Sequence, residues 1–239
     1  IISGEWRGRK LSAPKGDTTR PTADRTRETL FSMLVSRLGS FDGLYVADLF
    51  AGSGALGIEA LSRGAAHCLF AEQDRAALDA LRANLAALGA TDRAEVRAAS
   101  VLSLGPAPRP YDVILMDPPY GTGAGAVALD KLARLGWTDT ASWISVETGA
   151  SESVAVDGFA IDTERKVGKA KLTLLRPAPC RAHAEARCPA LLGRARRRNH
   201  VVHRQHILVL DRGMVARRLR AIPAVLRTAA GLDRQQGGK

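Results

Sequence analysis

The chain is poor in cysteine and in aromatic residues. Only three cysteines occur in 239 residues, Cys68, Cys180 and Cys188; they are too few and too irregularly spaced for a disulfide framework or a zinc site, and they read as a reducing setting. No apolar run approaches the roughly 20 residues of a membrane helix, and the N-terminus lacks the charged-then-apolar layout of a signal peptide. These absences exclude a stapled secreted domain and a helical membrane span, and they predict a soluble, cytoplasmic protein. The chain opens on Ile1 rather than Met, which implies at least one missing native residue.

Acidic side chains are scarce in one place only. Residues 178–239 hold 14 basic and 3 acidic residues, with no aromatic, whereas residues 1–177 hold 21 of each sign. The formal charge of +11 is therefore local, and it does not mark a protein that coats nucleic acid uniformly. A hydrophobic content of 46% allows one domain with a full core plus something smaller.

Along the chain, residues 1–40 read as an N-terminal arm or hairpin followed by a helix, residues 41–177 as an α/β domain, and residues 178–239 as a basic, poorly ordered Ala/Arg-rich extension. A small hairpin or extended arm is expected over Ile1 to Leu11, with its turn near Gly4 to Gly8. Pro21 breaks the chain, and Thr22 caps a helix from Ala23 to about Leu38. Strands and helices then alternate, which predicts a parallel sheet covered by helices. Strands are expected at 44–50, 67–72, 95–98, 112–116 and 143–147, helices after the Gly-rich turn and at 75–88 and 127–135, and a closing hairpin at 159–166 and 170–175. In the extension, a helix is expected near Met214 to Leu226, and the run RARRRNH at 194–200 is strongly basic.

Four features carry chemistry. DLFAGSGALG, Asp48 to Gly57, runs from a strand through a glycine-rich turn into a helix, where Gly52, Gly54 and Gly57 let backbone approach a ligand and the helix start offers unpaired N–H groups. The pattern alone suits a dinucleotide as well as any other adenosine-bearing ligand. Asp48 weighs against the dinucleotide, because a carboxylate there repels pyrophosphate but can hold an ammonium. Glu72 ends the second strand about twenty residues on, where an acid can accept from a ribose diol. Ser100, after the third strand, sits where a loop can line an adenine, although taken alone loop filler is its stronger reading. Asp117-Pro118-Pro119-Tyr120 follows the apolar strand VILM; the prolines stiffen the turn and lack N–H, leaving Asp117 and the Pro118 carbonyl as acceptors and Tyr120 as a stacking ring. Two acceptors and a ring suit the exocyclic amine of a nucleobase.

AGSGALG, Glu72 and DPPY together resemble the S-adenosylmethionine-dependent amino-methyltransferases. ISGEWRGRKL and RPTADRTRETLF are similar to one family among them, the bacterial RsmD-type 16S ribosomal RNA guanine-N2 methyltransferases, over Ile2 to about Arg176. The resemblance implies a Rossmann-like class I methyltransferase fold, with a seven-stranded, mostly parallel sheet whose last strand is antiparallel. It implies that Phe50, Gly52 and Gly54 lie against S-adenosylmethionine, that Asp48 faces its amino group, that Glu72 takes the ribose hydroxyls and Ser100 sits near the adenine. Asp117 to Tyr120 would hold the target guanine. Thr22 and Arg27 are assigned to the cofactor, and Arg7, Arg9, Lys10, Arg20 and Arg25 to RNA. The implied partner is 16S rRNA within assembling small ribosomal subunits, acted on by a monomer without a metal.

Two other readings stay open: an adenine-N6 methyltransferase on DNA or RNA, and a non-catalytic RNA-binding assembly factor. Trp6 reads equally as a stacking platform for RNA or as an anchor for the arm. His67 and Cys68 read as packing residues, and Trp137 and Trp143 as core or helix-end packing. The extension reads as a binder of RNA backbone, as a disordered appendage, or as the product of a shifted reading frame.

Overall fold

The computed structural model describes residues 1–14 and 21–178. Arg20, the side chain of Thr22 and residues 179–239, with the helix and basic run expected there, lie outside the described residues.

Seven strands form one sheet: β1 Tyr45–Leu49, β2 His67–Glu72, β3 Ala94–Ala98, β4 Val113–Met116, β5 Trp143–Gly149, β6 Phe159–Val167 and β7 Ala170–Pro177. Their order is β3-β2-β1-β4-β5-β7-β6. The first five are mutually parallel, and β7 runs antiparallel between β5 and β6. Four helices accompany them: α1 Pro21–Leu38, α2 Ala55–Ser62, α3 Arg75–Leu88 and α4 Ala124–Arg134.

The sheet's two faces bury separate cores, because successive side chains on a strand point opposite ways. Val46, Phe70, Val113 and Leu115 face one side, where they pack with Leu30, Phe31 and Leu34 of α1, Ile58 and Leu61 of α2, and Leu81 and Leu85 of α3. Ala47, Leu69, Ile114, Met116 and Ile144 face the other, against Leu129 and Leu132 of α4 and Trp137. Residues buried on both faces explain why these strands read as continuous apolar runs. Helix α3 also has both ends marked: the Asp74 side chain accepts from the Ala77 N–H at 2.8 Å, and Gly89 turns left-handed at φ 66°.

The N-terminal arm folds back on itself as a loop, not as a pair of strands: residues 3–8 are bends and turns, Gly8 N donates to Ile1 O at 2.9 Å and the Ile1 amino group to Arg9 O at 2.8 Å. The same backbone also bonds to α2. Ile2 N and Ser3 N donate to the Glu59 carboxylate at 2.8 and 3.0 Å. Glu5 N donates to Ser62 O at 2.7 Å, and Trp6 N to Ser62 Oγ at 3.0 Å. These partners lie more than fifty residues away, so local turn chemistry could not reveal them. Trp6 is buried with the Arg93 guanidinium 4.9 Å from its ring centre. It anchors the arm and has no face for RNA to stack on. Helix α1 begins at Pro21, which places Thr22 inside the first turn rather than at the cap; proline is favoured at a first helical position because the N–H it lacks would be unpaired there.

Candidate active site

Every cleft-forming segment leaves the same edge of the sheet. The glycine-rich turn follows β1, Glu72 closes β2, Ser100 follows β3, and Asp117 to Tyr120 follow β4. The chain crosses from β1 to β2 on one side of the sheet and returns to β4 on the other, so the loops after β1 and β4 diverge and leave a crevice. A cavity of about 400 Å³ occupies it, lined among others by Phe50, Glu72, Ser100, Asp117, Pro118 and Tyr120.

The glycine-rich half is held by carboxylates. Glu72 Oε2 accepts from Gly52 N at 2.8 Å, while its Oε1 accepts from Gln73 N at 2.7 Å and Asp74 N at 2.8 Å. A carboxylate offers about four lone-pair sites, so three are engaged and about one is free. A ribose diol at Glu72 would take that site and share another. Asp48 is buried, and its Oδ2 accepts from Gly57 N at 2.8 Å. Burial pushes its carboxyl well above the usual range against that hydrogen bond, and the Asp117 and Glu72 charges push the same way. Asp48 is not among the residues lining the cavity; it sits behind the turn.

The three glycines have different jobs. A Cβ on Gly57 would collide with Phe70 and Cys68, and one on Gly54 with Leu81, so both are glycine because the protein's own side chains fill the space. Gly52, at φ 55°, faces open space. Phe50, at φ 64°, is the one non-glycine residue with positive φ among the described residues, which marks the turn as strained where it lines the cavity.

The DPPY half is different. Asp117 opens to the cavity, yet protein on its other sides desolvates the carboxyl and, with the Glu147 charge adding, pushes it up to about 7. Among the described residues nothing donates a hydrogen bond to it. The Tyr120 ring is half exposed, and its hydroxyl donates to Glu147 Oε1 at 2.5 Å. Burial, then this bond, raises the phenol above its ordinary value. Burial likewise raises Glu147, although the Tyr120 hydroxyl opposes it.

Glu147 is the residue that sequence reasoning missed. A lone acid closing an apolar strand reads as a solvated strand end. The available signal was positional: β4 and β5 are parallel with Met116 beside Val146, so Asp117 and Glu147 each come directly after the last paired residues.

The remaining candidates stand apart from the cavity. The Arg27 guanidinium donates to Asp24 Oδ1 at 2.8 Å, and its Nε lies 3.8 Å from Glu59 Oε2 beside the arm. Arg7, Arg9, Lys10 and Arg25 are exposed on the arm and the start of α1, and Arg9 also donates to Ala87 O at 2.9 Å. His67 stacks on Tyr45, and Cys68 is buried with its thiol pushed up by desolvation, so both pack rather than react. Trp137 and Trp143 are buried. Among the described residues, no group of three or more His, Cys, Asp or Glu could hold a metal ion, and no helix is long and apolar enough to cross a membrane.

The strand order, with its antiparallel β7 and a glycine-rich turn after β1, defines the Rossmann-like fold of the class I methyltransferases. The solved Escherichia coli protein described as "Putative methyltransferase yhhF" has this fold, with a TM-score of 0.66 and 37% identity over 74% of this chain and 96% of its own. Magnesium protoporphyrin IX methyltransferase from Synechocystis, solved with bound SAM, shares the fold alone, at TM-score 0.53 and 16% identity over 68% of this chain and 87% of its own. In sequence, Ribosomal RNA small subunit methyltransferase D of Escherichia coli is 41% identical over 148 residues, 62% of this chain and 73% of the relative. Its Haemophilus influenzae namesake is 39% identical over 152 residues, 62% and 77% of the two chains. The family described as Conserved hypothetical protein 95 matches residues 1–176. The chain belongs to this family, the RsmD-type methyltransferases.

Proposed function

We propose that this chain transfers the methyl group of S-adenosylmethionine to the exocyclic N2 of a guanine in 16S ribosomal RNA. It acts in the cytoplasm, on assembling small subunits, as a monomer and without a metal. The observation that carries this reading is the cavity's lining, which joins unengaged acceptors and an exposed ring to a wall with no basic side chain among the described residues. A pyrophosphate would find no cation among those described residues. A ligand bearing a sulfonium and an ammonium finds Glu72 and Asp117 at the wall, with Asp48 close behind the turn. The volume falls within the few-hundred-Å³ range of small-molecule sites. The matched relatives named as ribosomal RNA methyltransferases supply the substrate class.

S-adenosylmethionine supplies, when bound, a methyl group activated by its positive sulfur. The protein's share is positioning and electrostatics. Asp117 and the Pro118 carbonyl accept the two N–H bonds of the amine, turn its lone pair toward the cavity and favour a tetrahedral nitrogen. Tyr120 offers its half-exposed ring to a base splayed out of its stack. No strong base is needed, because the amine proton can leave after transfer. Glu72 and Ser100 hold the ribose and adenine ends, Gly52 and Phe50 shape the turn, and the arginines of the arm and α1 meet RNA backbone.

The test is incubation of the full chain with labelled S-adenosylmethionine and immature small-subunit particles, followed by mapping of the label. Label on the N2 of one 16S guanine is expected. Label on adenine N6, on DNA or on protein overturns the reading, and so does cofactor binding without any transfer.

A further inference from the structure

Beside the larger cavity, a second one of about 30 Å³ lies on the other side of Pro118, Pro119 and Tyr120, lined also by Glu147 and Glu152. The DPPY segment is thus a partition, with Asp117 lining the larger cavity and Glu147 the smaller. The smaller cavity has room for about one water, so a base cannot enter it and must lie at its mouth, against the Tyr120 ring. Glu147 is fixed there. Its strand is bonded to β4 on one side and β7 on the other, and its Oε1 is engaged by the Tyr120 hydroxyl at 2.5 Å. Its Oε2 takes no hydrogen bond among the described residues. Glu152 is committed differently: its Oε1 accepts Gly121 N and Gly149 N, both at 3.0 Å, and ties the loop after Tyr120 to the end of β5.

We infer that Glu147 is the residue that selects guanine, its free oxygen accepting the N1–H of the target base while the neighbouring Asp117 accepts the N2 amine. The inference rests on the guanine-N2 reading above and deepens it. Guanine presents N1–H and N2–H₂ side by side, three donors on one edge. Asp117 and Glu147 follow the paired Met116 and Val146 on adjacent parallel strands, which are spaced about 4.8 Å apart, and they are near enough for the Glu147 charge to raise the Asp117 carboxyl. Adenine places a lone pair at N1, which would be repelled by an ionised Glu147 carboxylate. Two neighbouring carboxylates resist ionising together, and burial raises both; an edge of N–H donors is the ligand that relieves them. The hydroxyl bond also sets the tilt of the Tyr120 ring, so one side chain fixes both the plane and the edge of the base.

The experiment replaces the methylated guanine of 16S rRNA by 2-aminopurine, which keeps the 2-amine but carries a lone pair at N1, and assembles the ligated RNA into small subunits. Wild type is expected to favour guanine by at least about a hundredfold in kcat/KM, since sites built around a substrate N–H reject analogues lacking it strongly. Glu147→Gln, whose amide can donate to N1, is expected to bring that ratio within about tenfold, with cofactor affinity and melting temperature unchanged. Tyr120→Phe leaves the carboxylate in place and should keep the preference while lowering the rate on both bases. An unchanged ratio in Glu147→Gln overturns the inference, as does a wild type that treats the two bases alike. If wild type places no methyl on any 16S guanine, the functional reading itself falls, and that result is read separately. Should Glu147→Gln melt early, Glu147→Asp, which keeps the charge and shortens the reach, replaces it; a ratio lowered at least about tenfold, as expected when a bond to a substrate N–H is lost, supports the assignment, and a ratio that stays at the wild-type value overturns it.

Discussion

The two halves of the cleft treat their carboxylates in opposite ways. In the glycine-rich half, Glu72 accepts three backbone N–H groups and Asp48 accepts a fourth. In the DPPY half, Asp117 accepts nothing among the described residues, and Glu147 accepts only the Tyr120 hydroxyl. The first half uses charge to hold a backbone shape. The second leaves acceptors waiting in a partly desolvated place, an arrangement that costs folding energy and is useful only when a donor arrives. One half is finished by folding; on the proposed reading, the other is finished by its substrate.

The largest effect should come from removing the unengaged acceptor. Asp117→Ala is expected to lower methyl transfer by at least about a hundredfold, in the range seen when one polar group of a preorganised site is lost, with cofactor affinity changed by no more than a few-fold. Transfer assays beside calorimetric titration of the cofactor check this. Comparable losses in both would erase the distinction between the halves.

Next in size are the glycines of the finished half. Gly57→Ala would push a methyl into Phe70 and Cys68, and overpacking of this kind costs about 1–3 kcal/mol. Gly52→Ala meets open space and bears only the strain of φ 55°, about 1 kcal/mol. Denaturant melts should rank Gly57→Ala as the less stable; the reverse order would mean that the turn, and not its packing against β2, limits this half.

The last test reads the pH dependence of stability in the DPPY half. Asp117 in the folded chain lies at about 7 against 3.8 for an unperturbed group. The folded state therefore binds the extra proton, and wild type loses stability as pH rises from about 4 to 7. Asp117→Asn removes that loss, so it should melt above wild type at pH 8, with the gap closing toward pH 4. A gap that ignores pH would show that the carboxyl is better solvated than its surroundings imply.

Much of the frame was legible in the sequence because its signals are local. Strand His67–Glu72 and helix Arg75–Leu88 match their expected bounds, the helix being marked by Asp74 and Gly89 at its ends. Helix α4 starts three residues earlier than expected, at Ala124, because its entry is a left-handed Gly123 without a side-chain cap. Of the site, the DPPY segment, Glu72, Ser100 and Phe50 meet at one cavity. Arg27 does not join them, and Asp48 lies behind them. Both departures, like Glu147, depend on which distant segments pack together. The docking of Ile2 to Trp6 on Glu59 and Ser62 is of the same kind.

The place of β7 bears on how the molecule is made. Strand β5 is exported with one edge unpaired, and the chain must run on to residues 170–177 before that edge is covered. An apolar strand with an open edge is the element most prone to wrong pairing during synthesis. Since β5 carries Glu147, the residue that completes the reactive corner is also the one whose support arrives last. If Glu147 selects the base as inferred above, that selectivity rests on a strand covered only after the glycine-rich half has been synthesised.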